Sequence, residues 1–185
     1  MSKDNWDVEW TSVLPELSTS YSVSPTHCLT IRSKATLWYN GKIDIKNAYV
    51  YFYSYHTTHG EPESLMYIYM RMSSKTLASA NGYLMVWNSY GLGRYYRYNA
   101  GVVTTLYSAA GGWAVGLGLW QKFRMSCITV AGNVVLKPEY WTGAAWSTGY
   151  TYTDSSASKI LAGGYSGVAF GSRVYIDDVI IVEIP

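Results

Sequence analysis

The sequence predicts an all-β fold, an antiparallel sandwich of two sheets, with residues 1–185 forming a single domain. Short segments rich in Val, Ile, Tyr, Phe, Trp and Thr recur from one end of the chain to the other, separated by Gly, Asn, Ser or Pro. None of them keeps helical spacing over the length of a helix. Charged residues are 14% of the chain and aromatic ones 16%, with 19 Tyr and 8 Trp, which suits neither a disordered chain nor a helical enzyme domain. The composition does not shift midway, as a second domain would require.

Strands are expected at 48–55, 64–72, 82–88, 94–98, 101–108, 120–130, 134–141, 166–170 and 173–183, each a β-branched or aromatic run bounded by turn formers. Between the sixth and seventh lie Ala131, Gly132 and Asn133, where the Gly-Asn pair is expected to supply the positive φ angles of a tight hairpin. The polar stretches 56–63, 73–80 and 141–158 read as loops. Side chains alternate across a strand, so Tyr49, Tyr51, Tyr53 and Tyr55 share one face, opposite Val50, Phe52 and Ser54. Tyr67, Tyr69 and Arg71 repeat the pattern against Met66, Ile68 and Met70. Burial of the apolar sets leaves the Tyr sets outward, where the rings cover a sheet and the hydroxyls reach water.

Several classes are disfavoured by composition. The formal net charge of +2 is too small and too scattered for the footprint of phosphate-backbone binding, so no nucleic-acid partner is expected. No apolar run has the length of a membrane span. Residues 1–10 carry Lys3 among Asp4, Asp7 and Glu9 without an apolar stretch, so no conventional secretory leader is expected. Cys28 and Cys127 form no CxxC pair, which argues against a zinc ribbon or redox motif. Buried free thiols are the favoured reading, with a disulfide between them left open.

From position 81 onward the features come in a recognisable order. Asn81-Gly82-Tyr83 opens a strand, Arg94-Tyr95-Tyr96-Arg97-Tyr98 follows, and Trp120-Gln121-Lys122-Phe123-Arg124 leads to the Gly132-Asn133 turn. Trp141, Asp154, the run Tyr165-Ser166-Gly167-Val168-Ala169-Phe170-Gly171 and the run Val174-Tyr175-Ile176-Asp177-Asp178-Val179 complete it. This order resembles the concanavalin A-like lectin/glucanase superfamily, in particular its LamG-like relatives. The resemblance covers roughly the C-terminal half to two-thirds of the chain and implies a two-sheet antiparallel jelly-roll β-sandwich. Members include glycan-binding modules, glycoside hydrolases, and adhesion or structural modules, some on virus particles. The glucanase-like enzymes carry Glu-x-Asp-x-x-Glu on one strand, and that spacing is absent here. A retaining glycosidase needs two carboxylates close together across the scissile bond. Here Glu61 and Glu63 flank a proline, Asp177 and Asp178 are adjacent and face opposite ways, and Glu139 stands alone. A non-catalytic chain is therefore expected.

The candidate ligand-binding residues are Tyr51, Tyr53, Tyr55, Tyr67, Tyr69, Arg71, Trp87, Tyr95 and Arg97, because sugar C–H patches stack on aromatic planes while phenol and guanidinium groups bond hydroxyls. The same residue types stabilise sheets as cross-strand pairs and are enriched in protein interfaces, so three readings of the tyrosine face stay open. Trp113, Trp141 and Trp146 sit in or beside Gly- and Ala-rich stretches and mark either a contact surface or a cap on the core, the cap being favoured for Trp141. The resemblance also suggests a structural calcium site, with Asp177, Asp178 and Glu9 as its weak candidates. Calcium takes six or more oxygens, more than this set supplies, so no cofactor is expected. His56-Thr57-Thr58-His59 with Glu61 and Glu63 reads as a polar turn rather than a metal site. The favoured function is a lectin-like recognition module binding carbohydrate on an extracellular or virion surface. The alternative is a structural or decoration protein packing against neighbouring subunits, itself included, through the same face or an edge strand.

Overall fold

The computed structural model describes residues 6–10, 16–18, 28–31, 35–39, 44–57, 65–88, 93–109, 116–171 and 174–185. In chain order the strands are β1 (Trp6–Trp10), β2 (Glu16–Ser18), β3 (Cys28–Ile31), β4 (Ala35–Tyr39), β5 (Ala48–His56), β6 (Met66–Met72), β7 (Gly82–Trp87) and β8 (Gly93–Asn99). They continue as β9 (Val102–Ala109), β10 (Trp120–Val130), β11 (Asn133–Trp141), β12 (Trp146–Thr148), β13 (Tyr152–Asp154), β14 (Tyr165–Phe170) and β15 (Val174–Glu183). Sheet I has seven strands in the order β1-β4-β14-β6-β7-β8-β9, and sheet II has eight, β12-β11-β10-β5-β15-β3-β2 with β13 also paired to β11. All these strand pairings are antiparallel, and neighbours far apart in sequence, such as β14 beside β4 and β6, make the crossovers of a jelly roll. Among the described residues no helix is long and apolar enough to cross a membrane; this does not bear on β-barrels.

The main core lies between the sheets. Sheet I contributes Leu37, Met66, Ile68, Met70, Met85, Val168 and Phe170, and sheet II contributes Val50, Phe52, Phe123, Met125, Leu136 and Ile176. Phe52 of sheet II joins the layers, stacking on Phe123 and meeting Phe170 of sheet I edge-on, both at 5.5 Å between centroids. A second cluster covers the other side of sheet I: Trp38, Leu65, Tyr69, Met72, Leu84, Val86 and Tyr98. This burial on both faces explains why every residue of β7 is buried, whereas β5 alternates strictly between buried and half-buried.

Two local expectations are corrected. In the β10–β11 hairpin the positive φ angles belong to Ala131 (49°) and Gly132 (77°), and Asn133 instead pairs with Val130 as the first residue of β11. The 141–158 stretch holds two short strands, β12 and β13, because each finds an open edge on β11. The 73–80 stretch contains a single turn of 3-10 helix at Leu77–Ser79.

Candidate functional site

The outer face of sheet II carries a set of surface aromatic and cationic groups. It is built by alternation on β5, β10, β11, β12 and β15, whose inward partners fill the core. Register sets the rows. Trp120, Tyr55 and Tyr175 align in one, and Lys122, Tyr53 and Asp177 in the next. Thr148, Glu139, Arg124, Tyr51 and Ile180 form a third, with Ser126, Tyr49 and Val182 beyond it.

The rings contact one another across strands. Tyr55 lies 5.6 Å from Trp120 and 5.9 Å from Tyr175, Tyr51 lies 5.9 Å from Trp146, and Trp141 lies 5.5 Å from Trp146. Cations sit among them. The Arg124 guanidinium is 4.3 Å from the Trp146 ring and 4.9 Å from Tyr49, and Lys122 Nζ is 5.4 Å from Tyr53 and 5.8 Å from Trp146. The tyrosines of β5, Trp120, Trp146, Lys122 and Arg124 are half-buried, so each shows a surface to solvent while its neighbours hold it in place.

Glu139 anchors the array from below. Arg124 donates to both its oxygens, at 2.6 and 3.0 Å, Lys137 Nζ lies at 2.8 Å, and Thr148 donates at 3.4 Å. Burial alone would raise the Glu139 pKa, but the hydrogen bonds and positive charge of Arg124 and Lys137 outweigh it and hold the carboxyl below its usual range. The same hydrogen bonds raise the pKa of Arg124. This bidentate clamp fixes the guanidinium plane against the Trp146 ring.

The candidate residues named from the sequence divide among several places. Tyr51, Tyr53 and Tyr55 lie on this face. Tyr67 and Tyr69 alternate as expected, but on the outer face of the opposite sheet, where Tyr69 is buried in the second cluster against Trp38 at 5.1 Å. Arg71 breaks the alternation. Its φ of 57° coincides with a register irregularity between β6 and β14, and its side chain is buried, donating to Ile160 O, Asn47 Oδ1 and Thr129 Oγ1. Trp87 and Tyr95 are core residues between the sheets. Arg97 is also turned inward, paired with the buried Asp154 at 2.8 Å. A common face for all nine is thus corrected, because alternation gives parity along one strand but not which sheet the strand joins.

Other positions can be placed as well. Trp141 does not cap the core but stands on the outer face, 39% exposed. His56 is buried, with Nε2 3.1 Å from Ser54 Oγ. His59, Glu61, Glu63, Trp113 and the side chains of Glu9 and Cys28 lie outside the described residues. Cys127 is a buried free thiol, its pKa pushed up to about 12 by desolvation. Asp177 is buried at a register irregularity, where its Oδ1 accepts from the Asp178 backbone N–H. Among the described residues no three of His, Cys, Asp and Glu gather into a group that could hold a metal ion.

Trp120, Lys122, Arg124, Tyr49 and Tyr175 join the site without having been among the sequence candidates, and Trp146, read from the sequence as marking either a contact surface or a cap on the core, stands with them on this face. The signal for three of them was present, since Trp120, Lys122 and Arg124 alternate with the apolar Phe123 and Met125 on the strand preceding the hairpin.

No family model and no curated protein matches the chain in sequence. Solved structures do match in fold. The carbohydrate binding module CBM66 from Bacillus subtilis superposes with a TM-score of 0.59 at 9% identity, covering 97% of this chain and 96% of that one. The VIP36 exoplasmic/lumenal domain in its Ca2+/Man-bound form gives 0.64 at 10% identity, over 97% and 83%. The Emp47p carbohydrate recognition domain gives 0.60 at 10% identity, over 97% and 89%. The chain therefore has the concanavalin A-like jelly-roll fold.

Proposed function

We propose that this chain is a non-catalytic recognition module that binds carbohydrate through the outer face of sheet II, on an extracellular or particle surface. The observation that carries the reading is the half-buried array of Tyr51, Tyr53, Tyr55, Trp120 and Trp146 with Lys122 and Arg124 among the rings. A pyranose offers a flat patch of C–H to an aromatic plane and hydroxyls to the donors at its edge, and this face supplies both. The pre-set ring positions lower the ordering cost of binding. Solved structures of the same fold include a carbohydrate binding module and a carbohydrate recognition domain, which adds support.

A glycan array followed by calorimetry tests the reading. Binding is expected for the unaltered protein and expected to fall at least tenfold in Tyr53→Ser and in Trp146→Ser, on the scale of one lost stacking contact. Absence of any glycan ligand would sink it. A protein that binds no glycan and sediments as an oligomer would favour the assembly reading, for which β9 is the relevant element. That strand forms the edge of sheet I, carries no charged residue, and leaves Val102 68% and Val103 49% exposed.

A further inference from the structure

We infer that the glycan taken by this face is acidic, bearing carboxylate or sulfate groups; the inference rests on the carbohydrate-binding reading above. Its basis is the imbalance of accessible charge. The side chains that strand register places outward on β5, β10, β11, β12 and β15 include three cations, Lys122, Arg124 and Lys137, and two carboxylates, Glu139 and Asp177, while the half-buried Asp178 sits in the register irregularity of β15 without a strand partner. Both carboxylates are buried, at 2% and 5% exposure, and both are engaged: Glu139 by Arg124, Lys137 and Thr148, Asp177 by the Asp178 N–H. The cations keep solvent-facing surface. What a ligand meets is therefore positive, although the whole chain carries only +2.

Lys122 is the distinguishing group. Among the described residues no carboxylate pairs with it, and its ammonium lies over Tyr53 at 5.4 Å and Trp146 at 5.8 Å. A sugar stacked on either ring has its edge substituents within reach of that ammonium. Held beside the rings, the charge gains most from an anionic substituent. Neutral sugar hydroxyls are both donors and acceptors, and sites for them ordinarily offer Asn, Gln or free carboxylate alongside other groups. Around Lys122 the outward residues include no Asn or Gln, the outward amide of Asn133 standing at the far, hairpin end of β11, and the carboxylates that register places outward are already used. Apart from hydroxyls, the accessible polar groups that register places outward around Lys122 are cationic donors.

The test uses oligogalacturonates and their methyl esters, matched in length, and a sulfated oligosaccharide with its desulfated counterpart, titrated into the full chain at low and high salt. The acidic member of each pair is expected to bind about tenfold or more tighter, as one charge-assisted contact implies. That advantage should shrink as salt rises. Lys122→Gln should bring the acid-to-neutral ratio towards one, and Lys122→Arg should keep it, which separates loss of charge from misfolding. Neutral chains bound as tightly as acidic ones, or a preference that survives Lys122→Gln, would overturn the acidic specificity and leave the carbohydrate reading standing. Failure of every glycan in the array would overturn both.

Discussion

Ala100 and Ala131 occupy the same place in two hairpins, each in the left-handed region (φ 48° and 49°) and each followed by a glycine with positive φ. Left-handed backbone brings an alanine Cβ close to the following carbonyl oxygen, whereas Asn tolerates it and Asn-Gly is the preferred pair for such a turn. Ala131→Asn is therefore expected to raise stability by roughly half to one kcal/mol, read as a higher urea midpoint with an unchanged slope. Ala131 is the cleaner site of the two, because Ala100 is also held by a 2.8 Å bond from its N–H to Asn81 Oδ1. An unchanged midpoint would mean that the alanine carries no strain. The sequence located this hairpin but assigned the positive angles one residue too late, since an apolar alanine gives no turn signal of its own.

At the scale of the element, β5 and β6 show how one pattern meets two fates. Both alternate Tyr with apolar residues, yet the outer face of β5 stays half-open while that of β6 lies under a second cluster. Tyr53→Ser should cost a few tenths to about one kcal/mol, the scale of a cross-strand pair. Tyr69→Ser should cost about 3 kcal/mol or more, because it empties a site only 2% exposed and packed on Trp38. Thermal or urea denaturation of the two variants side by side checks this, and equal losses would contradict the assigned faces. Alternation was legible because it is a property of one strand; coverage of a face depends on residues distant in sequence.

For the molecule as a whole, two buried polar braces tie the sheets together. Arg71 of β6 reaches Thr129 of β10 and Asn47, and Arg97 of β8 pairs with Asp154 of β13, whose carboxylate also accepts from Tyr83 at 2.9 Å. Burial pushes the Asp154 pKa up, but bonds from Ser156, Arg97 and Tyr83 outweigh it and hold the carboxyl below its usual range, as happens at Glu139. Groups with depressed folded pKa values contribute stability above their unfolded values, near 4, and lose it as pH falls through the folded ones. Tyr83, Tyr95 and Cys127 are shifted upward by desolvation. Their contribution is full below the unfolded values, about 8.5 for the thiol and about 10 for the phenols, and is lost as pH rises towards the folded ones. The melting temperature should thus be level between about pH 5 and 8, falling below about pH 4 and above about pH 9. A melting temperature flat down to pH 2 would show that the carboxylates lose nothing on unfolding.

The sequence by itself determined the longer strands from β5 onward and the parity of β5: β10 was read at its observed bounds and Tyr49 to Tyr55 do share a face, whereas β1 to β4, β12 and β13 were not among the expected strands. Both follow from local steric rules that each residue obeys with its near neighbours. Tertiary structure alone decided that Arg124 of β10 and Trp146 of β12 meet over Glu139 of β11, that Trp141 faces solvent, and that Arg71 and Arg97 turn inward to brace the core. Those outcomes depend on which strands become neighbours and on where register slips, and long-range burial sets both.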